Sequence, residues 1–143
     1  MKLGTTYINV SDMKRSIDFY KRLLQIEPTG KNRDRWATFE CGCNLSLYNR
    51  KYDEALIRSP ENHDAFNFPY IAMLSRKESA KSNNVVVLNF IVDDLESEYE
   101  RVKALKIGTV SELMYIGVNV PYWYFTVTDP DGNIIEITAD SIE

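Results

Sequence analysis

The sequence predicts an α+β fold built from two copies of one unit, and three features of the chain support this. Segments 7–13 and 89–95 follow the same pattern 82 residues apart. In each copy, a strand with alternating side chains leads into a helix whose apolar residues recur at helical spacing. Further strands and glycine-containing turns follow each helix. We therefore expect one domain, 1–143, with a first module at 1–76 and a second at 84–143.

Length and composition are those of one ordinary globular domain. The chain has 143 residues, of which 44% are hydrophobic and 27% are charged. No apolar run reaches the ~18 residues that a membrane span needs, and the N-terminus lacks the apolar core of a signal peptide. The 17 basic and 21 acidic side chains give a net charge of −4, whereas nucleic-acid binding favours a basic surface. We expect a cytoplasmic protein with no nucleic-acid partner and no membrane partner.

Each predicted helix follows a carboxylate that can cap it. Asp12 and Asp94 occupy equivalent positions in the repeat, and a short carboxylate can accept hydrogen bonds from the free N–H groups of a first helical turn. The residues behind the caps recur at helical spacing: Met13, Ile17, Tyr20 and Leu24, then Leu95, Tyr99, Val102 and Leu105 or Lys106. Each helix therefore has one face to bury.

The later strands of the two modules also correspond. Aromatic-rich strands are predicted over 36–41 and 122–128, and each is followed by glycine and another strand, at 42–47 and 132–137. The Asp-Pro-Asp-Gly segment 129–132 is a strong turn signal, because proline presets φ and glycine permits positive φ. Each half thus contains a strand, a helix and then two or three strands.

The segment between the halves, 49–84, is long and weakly patterned. We expect a short helix over 51–58, the last strand of the first module over 69–76, and a polar linker over 77–84.

The two cysteines, Cys41 and Cys43, are separated by one residue on a predicted strand. Their side chains would share a face, where they are poorly placed to form a disulfide. We expect two buried, reduced thiols; the alternative is a metal or redox role.

Strand alternation predicts one apolar sheet face under the helices and one mixed face. The mixed face would carry Thr5, Tyr7, Asn9, Asn44, Ser46, Tyr48, Val87, Asn89, Ile134, Glu136 and Thr138. Aromatic walls with a few polar groups are typical of a small-molecule pocket, and we expect Trp36 and Trp123 to form such walls. A partly wet sheet face or a dimer interface is the alternative.

Two stretches resemble the glyoxalase/bleomycin-resistance/dioxygenase group, the vicinal oxygen chelate superfamily. Segment 10–24 resembles its opening strand and helix, and segment 129–137 resembles its closing turn and strand. The resemblance implies two paired βαβββ modules that wrap a mixed sheet into a cup. It also implies a homodimer, because members of the family are often dimers.

In the metal-dependent members of that family, four side chains hold a divalent ion, which stabilises an enolate or activates oxygen. By resemblance, the four positions fall on Thr5, Ser46, Val87 and Glu136. Only Glu136 is a good ligand, because valine has no donor atom and neutral hydroxyls bind such ions weakly. The sole histidine, His63, lies in the unmatched middle segment, where we expect a surface residue. We therefore expect no metal and no cofactor.

Glu136 then has three interpretations. It pairs with an internal Arg or Lys, such as Arg35; it holds a cationic or hydrogen-bonding ligand; or it is a general base, the one candidate catalytic residue. Tyr7, Tyr48 and Asn89 are candidate partners for the last role.

The sequence thus favours a protein that binds a small, cationic or aromatic molecule without the usual metal. The expected binding residues are Thr5, Tyr7, Asn9, Trp36, Ser46, Tyr48, Val87, Asn89, Trp123 and Glu136. One alternative is a lyase, isomerase or dioxygenase that uses Glu136, and another is a non-catalytic structural or regulatory dimer. Whether the chain is an enzyme stays open at this point.

Overall fold

The structure is a computed structural model that describes residues 5–66, 68–75, 86–116 and 122–139. The chain divides into two compact units, Met1–Ala80 and Lys81–Glu143. These are called the first and the second unit below.

The first unit begins with a strand, a helix and three more strands. These are β1 (Thr6–Asn9), α1 (Met13–Leu24), β2 (Gly30–Asn32), β3 (Trp36–Glu40) and β4 (Asn44–Tyr48). Their sheet has the order β1-β4-β3-β2. Strand β1 is parallel to β4, and the other pairs are antiparallel. The elements follow the predicted βαβββ order, and their four strands form a mixed sheet.

The first unit then continues into the long middle segment. Helix α2 (Arg50–Leu56), a 3-10 helix (Pro60–Ala65) and helix α3 (Phe68–Leu74) follow β4. The expected short helix over 51–58 is confirmed. The expected strand over 69–76 is wrong, because the described part of this segment is helical. Proline is tolerated in the first turn of a helix, and the Ala, Met and Leu residues that follow are good helix formers.

The second unit repeats the same order. It contains β5 (Leu88–Val92), α4 (Leu95–Leu105), β6 (Met114–Ile116), β7 (Tyr122–Thr128) and β8 (Ile134–Ala139), with sheet order β5-β8-β7-β6. The predicted α+β class with two βαβββ modules is thereby confirmed. The expected linker over 77–84 lies outside the described residues. Within the described ranges, every helix is too short or too polar to cross a lipid bilayer.

Both capping predictions are confirmed. The Asp12 side chain accepts a hydrogen bond from the backbone N–H of Arg15 at 3.0 Å, and Asp94 accepts one from Ser97 at 3.0 Å. Each carboxylate satisfies a donor that the first helical turn leaves free. Helices α1 and α4 therefore start at equivalent points of the repeat.

Each unit has a core between its helix and one face of its sheet. Helix α1 packs on β3 and β4, and α4 packs on β7 and β8. Aromatic rings lie at both contacts: the centroids of Tyr20 and Phe39 are 6.2 Å apart, and those of Tyr99 and Phe125 are 5.2 Å apart. The alternating strand residues beneath the helices are buried, namely Ala37, Phe39, Leu45, Leu47, Phe125, Val127, Ile135 and Ile137. The helix-facing side predicted by the period of two is thus confirmed for β4 and β8.

The turn between β7 and β8 is built around Asp129. Its buried carboxylate accepts hydrogen bonds from the backbone N–H groups of Asp131 at 2.9 Å and Asn133 at 2.8 Å. Gly132 adopts a φ of +86°, which an L side chain would strain. The aspartate and the glycine therefore fix the turn that the sequence predicted, and with it the pairing of β8.

The cysteines do not lie in a strand. Strand β3 ends at Glu40 and β4 starts at Asn44, so Cys41 and Cys43 flank Gly42 in the turn between them. Cys43 is exposed and Cys41 half-buried, and both are free thiols. The expectation of buried thiols is wrong, because both cysteines lie in the turn between β3 and β4 and not in a strand of the sheet.

Candidate functional site

In the first unit, three aromatic rings lie on the sheet face opposite α1. Tyr7, Trp36 and Tyr48, here called the aromatic trio, come from β1, β3 and β4. The centroid of Tyr7 lies 5.3 Å from that of Trp36 and 6.1 Å from that of Tyr48, and Trp36 and Tyr48 are 6.1 Å apart. Tyr7 is 55% exposed. The trio is therefore a packed aromatic surface with one ring open to solvent.

A chain of hydrogen bonds, here called the hydroxyl chain, runs across the same face beneath Trp36. The Trp36 indole Nε1 donates to Thr38 Oγ1 at 2.9 Å, and Thr38 Oγ1 lies 2.9 Å from Ser46 Oγ. Ser46 Oγ lies 3.2 Å from Thr5 Oγ1, which donates to the Asn44 carbonyl at 3.0 Å. Because an indole N–H can only donate, Thr38 Oγ1 accepts from Trp36 and its own hydroxyl proton can be donated to Ser46. The hydroxyls of Thr5 and Ser46 are therefore already hydrogen-bonded within the protein.

These residues do not fit the four-ligand metal set implied by the resemblance. Thr5 and Ser46 offer neutral hydroxyls that are already hydrogen-bonded, and Val87 offers no donor atom. Among the side chains that the structure describes, no group of three or more His, Cys, Asp and Glu residues could hold a metal ion. The side chain of His63 lies outside the described part. The donor chemistry at these positions thus supports no metal-dependent step.

A buried carboxylate joins the aromatic trio to the middle segment. Asp53, on α2, is fully buried and receives two hydrogen bonds from Arg35, Nε to Oδ1 at 2.7 Å and Nη2 to Oδ2 at 2.9 Å. Its Oδ2 also accepts from the hydroxyls of Tyr48 at 2.9 Å and Tyr70 at 2.6 Å. We call Arg35, Tyr48, Asp53 and Tyr70 the Asp53 cluster.

The cluster shifts the ionisation of its members. Burial alone would raise the pKa of Asp53, but the hydrogen bonds from Arg35, Tyr70 and Tyr48 outweigh it and hold that pKa below its usual value. Burial, followed by the hydrogen bonds and the Asp53 charge, raises the pKa of Tyr48 far above that of a free phenol. Burial likewise raises the pKa of Tyr70. Neither phenol is therefore prepared to act as a base.

In the second unit, Glu136 is held by an amide on the neighbouring strand. Asn89 Nδ2 donates to Glu136 Oε1 at 2.8 Å, and the two residues are paired in the register of β5 and β8. The guanidinium of Arg35, one of the partners expected for Glu136, instead binds Asp53.

The remaining predicted site residues divide between faces. Asn9 is exposed at the end of β1, and Val87, just before β5, is 52% exposed. Trp123 alternates in phase with Phe125 and Val127, which are buried on the α4 side of β7. Trp123 contacts Tyr115 at a centroid distance of 5.1 Å. The structure therefore does not bring Trp123 to the face that carries Glu136.

Sequence reasoning missed three members of this arrangement. Thr38 alternates with buried Ala37 and Phe39 on β3, so strand periodicity was the signal that could have placed it on the mixed face. Asp53 and Tyr70 lie in the weakly patterned segment. The only available signal was that Arg35, next to a buried strand, needs an acidic partner.

The sequence comparisons identify a family but no close relative. Residues 2–137 match the family model described as Glyoxalase/Bleomycin resistance protein/Dioxygenase superfamily. No curated protein matches the chain.

Solved structures share the fold at low identity. A lactoylglutathione lyase from Agrobacterium tumefaciens is 20% identical, with a TM-score of 0.65 over 97% of this chain and 93% of that chain. A glyoxalase-related enzyme from Fulvimarina pelagi is 15% identical, with a TM-score of 0.67 over 97% and 88%. A glyoxalase/bleomycin resistance protein/dioxygenase family enzyme from Burkholderia phytofirmans is 14% identical, with a TM-score of 0.63 over 95% and 96%. At these identities the likeness concerns the fold alone.

Proposed function

We propose that this chain, which belongs to the Glyoxalase/Bleomycin resistance protein/Dioxygenase superfamily, binds a small aromatic molecule against the aromatic trio and needs no metal ion to do so. The observation that carries the proposal is the open ring of Tyr7. It is 55% exposed although it packs against Trp36 and Tyr48 at 5.3 and 6.1 Å. A planar ligand can cover this ring and contact its neighbours.

The energetics of ring contacts suit such a ligand. Aromatic pairs with centroids 4.5–7 Å apart contribute about 0.5–1.5 kcal/mol each beyond the burial of area. Contact with two rings, together with loss of the exposed Tyr7 surface from water, supports binding in the micromolar to millimolar range. That affinity suits sequestration of a small molecule, and no chemical step is needed to explain it.

The charge of the ligand is a secondary feature. Aromatic faces attract cations, and the chain carries a net charge of −4. The buried Asp53 charge is already balanced by Arg35, whose guanidinium carbon lies 5.5 Å from the centre of the Tyr48 ring. We therefore propose selection mainly for ring shape, with a cation tolerated and not required.

Tryptophan fluorescence tests the proposal, because the chain has two tryptophans and the trio contains one of them. We would titrate two matched variants, Trp123→Phe and Trp36→Phe, with quinoline and with N-methylquinolinium, correcting for absorbance by the probe. Saturable quenching is expected in Trp123→Phe, in which Trp36 is the emitter. Quenching only in Trp36→Phe, or in neither variant, would contradict the proposal.

Acid–base catalysis by Glu136 is a second candidate, favoured by its hydrogen bond from Asn89 at 2.8 Å. An amide donor orients the carboxylate for proton transfer, as a general base in a lyase or isomerase reaction requires. Glu136→Gln would then abolish turnover of a carbon acid and leave quinoline binding to the trio intact.

A homodimer, implied by the family resemblance, stays a proposal, which analytical ultracentrifugation would test.

A further inference from the structure

We infer that Asp53 is the positioning residue of the aromatic site: from beneath the surface it fixes the ring of Tyr48, and so the shape of the aromatic trio. The inference rests on the proposed function and adds a residue that does not itself contact the ligand. Asp53 is fully buried, so it can act only through its neighbours.

The first step is the anchoring of Tyr48 at its polar end. Its hydroxyl donates to Asp53 Oδ2 at 2.9 Å, and its ring stands nearly perpendicular to Tyr7, at an interplanar angle of 87°. An edge-to-face contact depends on the ring angle as well as on the distance. A hydrogen bond at the far end of a tyrosine holds its hydroxyl in place and so restricts rotation about the Cα–Cβ bond, which would carry the whole ring away from Tyr7.

The second step is that Asp53 itself cannot turn. Arg35 holds both of its oxygens, at 2.7 and 2.9 Å, in the planar two-point geometry that a guanidinium imposes on a carboxylate. A carboxylate fixed in this way presents Oδ2 in one direction. The Tyr48 hydroxyl is thus held, through Asp53 and Arg35, at a fixed position relative to the start of β3.

The third step separates Tyr48 from Tyr70. Tyr70 donates to the same Oδ2 at 2.6 Å, and its hydroxyl lies 2.8 Å from that of Tyr48. Tyr70, however, belongs to α3 and is not a member of the trio. Removal of the Tyr70 hydroxyl leaves the hydrogen bond between Tyr48 and Asp53 in place. A Tyr70 variant therefore tests whether Tyr48 is positioned by the Asp53 carboxylate or by the whole cluster.

A double-mutant cycle tests the inference by fluorescence titration with quinoline, in the Trp123→Phe background. The variants are Asp53→Asn, Tyr48→Phe and the double variant. Tyr52→Phe is the matched control, because Tyr52 lies on the same helix and its hydroxyl contacts the exposed Arg33 at 3.5 Å. Each single variant is expected to weaken binding about fivefold to tenfold, the effect of losing one net hydrogen bond. The double variant is expected to bind no more weakly than the weaker single one.

Two results would overturn the inference: additive losses in the double variant, or wild-type affinity in Asp53→Asn while Tyr48→Phe is weakened. Should Asp53→Asn not fold, Tyr70→Phe takes its place beside Tyr48→Phe. Tyr70→Phe is then expected to keep quinoline affinity within about twofold, and a loss equal to that of Tyr48→Phe would assign the positioning to the cluster and not to Asp53.

Failure of the proposed function is distinguishable from failure of this inference. If the unsubstituted protein binds no quinoline, the proposed function fails. The near-ultraviolet circular dichroism of the same variants still reports the packing of Trp36 and Tyr48. Positioning predicts that Asp53→Asn and Tyr48→Phe lose the same aromatic band and that Tyr52→Phe keeps it; an unchanged band in Asp53→Asn contradicts positioning.

Discussion

Arg35 and Asp53 form a two-point ion pair, with Nε 2.7 Å from Oδ1 and Nη2 2.9 Å from Oδ2. The pair joins the start of β3 to α2, 18 residues further along the chain. The arginine side chain is 34% exposed, whereas the aspartate is completely buried. Asp53 therefore loses more hydration on folding than Arg35 does, and the hydrogen bonds from the two tyrosine hydroxyls offset part of that cost.

Removal of one member of this pair is expected to destabilise the protein. Arg35→Met leaves the buried Asp53 charge without its cation, and we expect the free energy of unfolding to fall by about 3 kcal/mol. Urea denaturation measures the change. Asp34→Asn is the control, because Asp34 is the exposed neighbour of Arg35. A fall smaller than that of the control would contradict a structural role for the pair.

Acid should remove the same contribution. The pKa of Asp53 is lowered from an unfolded value of 3.8, so the unfolded chain binds the proton more readily than the folded one. The stabilisation is thus fully present above pH 3.8 and is lost as the pH falls through the folded pKa. We expect the stability of the unsubstituted protein to fall more steeply below pH 4 than that of Asp53→Asn. Parallel curves of stability against pH would contradict this.

Much of the framework could be predicted because it depends on local patterns. The capping aspartates, the 82-residue repeat and the turn at Asp129 each follow from the chemistry of a few neighbouring residues. The same holds for the burial of Leu45 and Ile135, which follows from strand alternation.

The Asp53 cluster could not be predicted, because it depends on packing across 17–18 residues of chain. A short apolar run such as 69–76 is compatible with strand or helix, so its pattern does not place Tyr70 beside Asp53. The side on which Trp123 lies depended on strand phase, which is uncertain when strand ends are uncertain.

The hydroxyl chain should stabilise the first unit and orient Trp36. Thr38→Val keeps the side-chain shape but removes an acceptor for the indole and a partner for Ser46. We expect a loss of about 1–2 kcal/mol and a shift in the emission of Trp36 in the Trp123→Phe background. Thr29→Val is the matched control, because Thr29 is exposed and its hydroxyl makes one long bond, 3.4 Å, to the Thr38 carbonyl. Equal effects of the two exchanges would argue against the chain.

Glu136→Gln should change function more than stability. The glutamine carbonyl can still accept from Asn89 across the β5–β8 pair, so the free energy of unfolding is expected to stay within about 0.5 kcal/mol. If Glu136 acts as a general base, turnover of a carbon acid is lost in this variant. Turnover equal to that of the unsubstituted protein would remove Glu136 from the catalytic role.

Metal content tests the central claim, metal-independent binding, most directly. Elemental analysis would be made on protein purified without chelator, then offered Zn, Ni, Mn and Fe and desalted. Cys41 and Cys43 would be replaced by serine so that uptake by the two free thiols is not counted. The account predicts less than roughly a tenth of an ion per chain, because Thr5, Ser46 and Val87 supply no strong ligand. Close to one ion per chain would contradict it.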